Sequence, residues 1–234
     1  MISSQMTVRE VAAQVPESTR LFETLQIDYC CGGNRPLTEA CATAGVEVDI
    51  VMKQLSALGK STPTDTVVDF QKLSLTDLIT HIVNTHHVFT KFEMDRLRAL
   101  VTKVIGAHGA NHPELLTVGE LFQRLYADLE PHMFKEEQVL FPYIVRMERA
   151  QSLLSAPFGT VKNPIRMMMM EHDTAGDILR KLRAVTSDYR VPADACISYQ
   201  TLYQALEDFE KDLHQHIHLE NNILFPKAVE LESR

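Results

Sequence analysis

Residues 132–142 read HMFKEEQVLFP and residues 216–226 read HIHLENNILFP. Both copies carry a His, a Glu four places on, and then Leu-Phe-Pro. A helix brings positions four apart onto one face, so each copy aims an imidazole and a carboxylate at a common point. The proline is the expected helix stop. Upstream and downstream the apolar stripe steps by alternating fours and threes: Val118, Phe122, Leu125, Leu129, His132, Glu136, Val139 and Tyr143 in one segment, and Leu202, Leu206, Phe209, Leu213, His216, Glu220, Ile223 and Lys227 in the other. His and Glu therefore fall on the face that seeks the core. A buried carboxylate is costly unless something cationic compensates it, and a metal ion does so most directly.

Two further segments each place one His on an apolar stripe. His86 follows Leu75, Leu78, Ile79 and Ile82 and precedes Phe89, and His172 follows Ile165 and Met168 and precedes Leu179. The interval from His86 to His132 nearly equals that from His172 to His216, the mark of a duplicated helical hairpin. Four long helices are predicted, at Leu75–Ile105, Val118–Arg149, Pro164–Val185 and Asp194–Glu230. Ser74 with Asp77, Thr117 with Glu120, and Asn163-Pro164 serve as start signals. Short or moderate connections between them point to an antiparallel bundle.

Such a bundle converges imidazoles and two carboxylates on its core. Carboxylates shared by two histidine-rich half-sites favour a bridged di-iron pair over tetrahedral zinc, with hydrogen-bonded core histidines as the bland alternative. His214 and His218, two residues either side of His216, are expected to face solvent. His87 lies off the stripe and is expected at the surface or behind the ligands, as is His81. His112 reads as a loop residue, and spacing alone leaves His108 open.

Before the bundle, Gly59–Asp65 (GKSTPTD) reads as a linker, which divides the chain into a small helical N-terminal domain (1–60) and the bundle domain (70–234). Thr7 with Glu10 forms a capping-box pattern there. Cys30 and Cys31 are adjacent and followed by Gly32-Gly33. Consecutive α-carbons are too close for an unstrained disulfide, so two exposed, reactive thiols are expected. Cys41 and Cys196 are expected as small buried hydrophobes, and Met167–Met170, spread around a helix, as adaptable packing.

The net charge of the 234 residues is −8, and neither part is basic: residues 1–60 hold 5 basic and 7 acidic side chains, the rest 18 and 24. A nucleic-acid partner is not expected without a positive footprint. No apolar run is long enough to span a membrane, no secretion signal opens the chain, and four cysteines make no disulfide framework, so the cytoplasm is expected.

The combination of DYCCGG (28–33), VIGAHGANHPEL, MEHDTAG (170–176) and the paired HMFKEEQVLFP and HIHLENNILFP resembles the Repair of Iron Centers family over nearly the whole chain. The resemblance implies an all-α, hemerythrin-like antiparallel four-helix bundle with a small cysteine-bearing N-terminal domain. It implies two non-haem iron ions, oxo- and carboxylate-bridged, held by His86, His108, His132, His172 and His216 with Glu136 and Glu220 bridging. Those ligands leave one coordination position open to nitric oxide or dioxygen. Cys30 and Cys31 become candidates for redox or metal transfer. The implied function is repair of damaged or apo iron–sulfur proteins under nitrosative or oxidative stress by iron donation. A di-iron nitric oxide or peroxide reductase and an oxygen- or nitric-oxide-sensing module are the alternatives, so enzyme activity stays open, as does pairing into a homodimer.

Overall fold

Local signals at the N-terminus set the first helix. The Thr7 hydroxyl accepts from Glu10 N–H while Glu10 reaches back to Thr7 N–H, and this box starts α1 (Val8–Gln14). The computed structural model describes residues 2–58, 69–150 and 156–233, so the expected linker at 59–65 lies outside the described residues. Helices α2 (Ser18–Thr24), α3 (Leu37–Ala44) and α4 (Val48–Leu58) follow α1. They enclose an apolar core of their own around Val8, Val11, Phe22, Leu37, Val51 and Leu55.

The bundle begins after a single 3-10 turn at Phe70–Lys72. Its first long helix comprises α5 (Leu75–His81), a π-helical segment π1 (Ile82–His87) and α6 (Val88–His108). The second comprises α7 (Glu114–Lys135), π2 (Glu136–Leu140) and α8 (Phe141–Arg149). The third is the uninterrupted α9 (Lys162–Val185), and the fourth comprises α10 (Ile197–Leu219), π3 (Glu220–Leu224) and α11 (Phe225–Glu232). α5 packs on α8, and α6 on both α7 and α10, so successive helices run antiparallel. The described residues contain no β-strand, only one isolated bridge between Thr7 and Pro36. No described helix is long and apolar enough to cross a membrane.

Two of the expected starts differ. Ser74 caps α5 as read, but the N–H groups of Leu75 and Thr76 are also held by Glu148, 72 or more residues away in sequence. Thr117 lies inside α7, which starts at Glu114, and α9 starts at Lys162, ahead of Pro164, with Glu232 accepting from Val161 N–H. These carboxylates are tertiary caps, invisible to a local pattern. The Leu-Phe-Pro tripeptides do not stop the helix either. Pro142 and Pro226 sit in the first turn of α8 and α11, where a missing N–H costs little because π2 and π3 have already broken the regular ladder.

The π segments also explain where the stripes slip. A π turn inserts one residue, which rotates everything beyond it by about 100° relative to an α-helix. Val139, expected inside, is 46% exposed, and Leu140, Ile144 and Met147 take the core. Lys227, also expected on the stripe, is half-buried with its ammonium donating to the carbonyls of Gln71 and Leu73. Below the slip, Leu140, Phe141, Ile165, Leu219 and Phe225 pack as one apolar cluster; above it, Leu97, Phe122, Leu179, Leu206 and Phe209 form another. Between these two apolar layers lies a polar one.

Candidate metal centre

The polar layer is built where the π segments meet the α-helices. His87 closes π1, Glu136 opens π2 and Glu220 opens π3, while His132 and His216 lie in the last turns of α7 and α10. His172 comes from the middle of α9. All six side chains are buried, with Glu136, Glu220 and His87 at 0% exposure.

They form two overlapping quartets. His87, Glu136, His216 and Glu220 bring one donor atom each within 4.8 Å of one another, and so do His132, Glu136, His172 and Glu220. Each carboxylate belongs to both quartets. Glu220 Oε1 is 3.0 Å from His216 Nε2 and its Oε2 is 3.1 Å from His172 Nε2; Glu136 Oε1 is 3.3 Å from His132 Nε2 and its Oε2 is 3.5 Å from His87 Nε2. Each carboxylate thus turns one oxygen to each half-site, the arrangement of a bridge.

Three of the four imidazoles are oriented from behind, while His216 Nδ1 is buried without a hydrogen-bond partner among the described residues. His87 Nδ1 bonds Glu137 at 2.8 Å, His132 Nδ1 bonds Glu171 at 2.7 Å, and His172 Nδ1 bonds the Asn221 side-chain oxygen at 2.8 Å. A hydrogen on Nδ1 leaves the Nε2 lone pair facing the centre. Nε2 of His87 then stands 3.1 Å from Nε2 of His216, and Nε2 of His132 stands 3.0 Å from Nε2 of His172. Two nitrogen ligands at about 2.1 Å and a right angle on one ion are separated by about 3.0 Å. The spacing therefore matches a cation between each pair. Both oxygens of Glu136 and one of Glu220 are buried without a hydrogen-bond partner among the described residues, an arrangement that a cation would satisfy.

Electrostatics agree. Burial pushes the His132 imidazole down, but Glu136 and Glu171 overcome it and raise it to about 10, so without a cation a proton holds the Nε2 position that a metal ion would take over. Burial likewise raises Glu220, and His216 and His172 hold it well below the usual carboxylate range. The pocket attracts positive charge, and its donors, imidazole nitrogen and carboxylate oxygen, suit iron, manganese or zinc.

Two sequence expectations are corrected here. His86 is buried but lies outside both quartets: its Nδ1 bonds Asp212 at 3.0 Å and its ring stacks on His216 at 5.7 Å between centroids. π1 lengthens the step from Ile82 to the next core-facing residue from four to five, so His87 enters and His86 turns aside. The adjacent His-His pair together with slipped stripes downstream was the available signal. His108 ends α6, 21 residues beyond His87, which at 1.5 Å per residue is about 30 Å along the helix. It bonds Cys196 instead and cannot reach this centre.

The N-terminal helices dock on the same layer. His218, expected in solvent, is buried with its ring edge-on to Tyr29, and Asn222 donates to the Tyr29 carbonyl at 3.0 Å. His214 bonds Glu23, which also accepts from the Tyr29 hydroxyl. These contacts press the DYCCGG turn onto the bundle. Asp28 Oδ1 accepts from the N–H groups of Cys30, Cys31 and Gly32, and Gly33 is needed because a Cβ there would meet the Tyr29 carbonyl at 2.9 Å. The two sulfurs are 3.8 Å apart and both free. The expected exposure is not found: Cys30 is buried and Cys31 half-buried, and the Cys31 partner and burial together push the Cys30 thiol up. Cys31 Sγ lies 3.5 Å from the backbone carbonyl of His172.

Of the remaining expectations, Cys41 is buried as read, whereas Cys196 is exposed. Met168 packs inside while Met167, Met169 and Met170 are exposed.

Comparison with known proteins agrees with this architecture. Residues 78–228 match the family described as Hemerythrin HHE cation binding domain, and residues 4–59 match a Domain of Unknown function (DUF542). A probable iron-sulfur cluster repair protein of Haemophilus influenzae is 34% identical over 98% of this chain and 99% of its own length. Iron-sulfur cluster repair proteins YtfE of Dickeya chrysanthemi and Salmonella schwarzengrund are 34% and 35% identical, covering 94% of this chain and 95% and 94% of theirs. With family models matched at residues 4–59 and 78–228 and relatives aligned end to end, the chain belongs to the iron–sulfur cluster repair family of hemerythrin-like proteins.

Proposed function

We propose that this protein repairs damaged iron–sulfur clusters by storing two irons between its quartets and giving them up to apo or damaged iron–sulfur proteins in the cytoplasm. The observation that carries the reading is the sharing of Glu136 and Glu220 by two buried histidine pairs. His87 and His216 would hold one ion, His132 and His172 the other, with both carboxylates bridging. Four imidazoles and four carboxylate oxygens supply eight of the roughly twelve positions that two six-coordinate ions use. Such an under-filled site supports release as much as retention.

When bound, the ions supply exchangeable iron. The chain's own residues do the rest. Glu137, Glu171 and Asn221 keep His87, His132 and His172 facing inward, the apolar layers above and below exclude bulk water, and the Cys30-Cys31 turn presses on the backbone of His172. Thiols there suit a hand-over of iron toward a thiolate-rich acceptor. The division into residues 1–60, carrying these thiols, and residues 70–234, carrying the centre, forms part of the same reading.

The test is to incubate iron-loaded protein anaerobically with an apo iron–sulfur enzyme, sulfide and reductant, then to measure recovered activity and the iron left on the donor. Activity should rise as donor iron falls, and the Cys30→Ser/Cys31→Ser double variant should keep its iron yet transfer it more slowly. Iron that stays bound while nitric oxide is consumed catalytically would replace donation with reduction.

A further inference from the structure

His108 and Cys196 meet where α6 ends and α10 begins. Cys196 is the N-cap of α10, whose 23 residues align their dipoles toward it, and it is exposed. His108 Nε2 lies 3.1 Å from its sulfur. A nucleophile, a base within hydrogen-bond reach and an open approach occur together here, about 30 Å of helix from the metal layer. Around the pair, the His108 ring packs against Tyr199, and His112 is pinned between Glu114 at 2.9 Å and Asp194 at 3.1 Å. Asp194, Glu114 and the Cys196 thiolate together outnumber the imidazoliums of His108 and His112, so the approach is acidic.

We propose that Cys196, paired with His108, is a reactive thiol that exchanges with small neutral or cationic disulfides. In that step the Cys196 thiolate attacks one sulfur of the disulfide. A new S–S bond forms to Cys196 as the reagent's own S–S bond breaks, Cys196 is oxidised, and the released thiol sulfur takes the bonding electron pair and a proton from the His108 imidazolium. The backbone N–H of Tyr199 and then the His108 ring pull the Cys196 thiol down to about 7. The same geometry separates this thiol from Cys30, whose sulfur is buried and pushed the other way.

Speed alone is a poor readout. At neutral pH a thiol of pKa about 7 holds roughly 15 times more thiolate than one of about 8.5, but its weaker nucleophilicity returns roughly fivefold, leaving about a threefold advantage. The pH at which the rate bends is the sharper signature. The full chain is treated with cystamine, a dication, and separately with oxidised glutathione, an anion, between pH 5.5 and 9.5, and adducts are located by peptide mass spectrometry. Cys196 should be modified with a rate that inflects near 7, faster with cystamine, and reversibly by excess thiol; in His108→Gln the inflection should move toward 8.5. An inflection near 8.5 in the unaltered chain would overturn the paired thiol whether or not the variant folds. Glutathione reacting as fast as cystamine would overturn the charge selection.

Discussion

At the residue scale the six buried donors are held apart by geometry and together by what they await. Without a cation, both Glu136 oxygens are buried without a hydrogen bond, and the charge of His132, 3.3 Å away, is what offsets the carboxylate. Glu136→Gln should therefore abolish paired binding and, because it takes the counter-charge from His132, leave the metal-free protein no more stable than before. Urea denaturation of both chains with and without iron reads this directly: iron should raise the stability of the unaltered chain by far more than that of the variant. Glu171 is a second point of leverage. The His132 hydrogen bond outweighs its burial and, with Lys135, lowers its carboxyl to about 2, so it stays ionised to very low pH and keeps His132 turned inward. Glu171→Gln should weaken metal affinity by about 10–100-fold without touching the ions' own ligands, measured by competition with a chelator.

At the element scale the π segments govern where side chains point. Each adds a residue beside a side chain of the two quartets, and the stripes beyond them are set by that insertion. Deleting Val139, which is exposed and so gives up little packing, should convert π2 to a regular helix. His132 and Glu136 would then be turned by about 100° against Tyr143 and Ile144, and either the centre or the lower core must yield. Lost iron together with a lower melting temperature is expected for the deletion, and neither for Val139→Ala. These segments are also where sequence reading reached its limit. His132, Glu136, His172, His216 and Glu220 were legible because each lies on an unbroken stripe up to its own position. His87 was not, since a fixed 3.6-residue period carried through Ile82 selects His86. Glu148 and Glu232, which cap helices far away in sequence, leave no local trace at all.

At the scale of the whole molecule, two helical units share one polar layer. The N-terminal turn reaches the bundle through Glu23, Tyr29 and the Cys30 backbone on one side and His214, His218 and Asn222 on the other. Periodicity places those histidines outward, and only the docked partner makes that face interior. Gly33→Ala would drive a methyl against the Tyr29 carbonyl and the Asn222 side chain at 2.9–3.0 Å. It should loosen the dithiol turn at a cost of about 1–3 kcal/mol. Hydrogen exchange should rise in residues 28–33 and 214–222 while α6 and α7 stay protected.

The central claim is that two ions share Glu136 and Glu220, with His87 and not His86 completing one half-site. Anaerobic titration of the metal-free chain with ferrous iron, followed by elemental analysis after desalting, tests it most directly. The account predicts two irons per chain in the unaltered protein and in His86→Ala and His108→Ala, and a loss of at least one in His87→Ala. A single iron in the unaltered protein, or two in His87→Ala with loss in His86→Ala or His108→Ala, would contradict it.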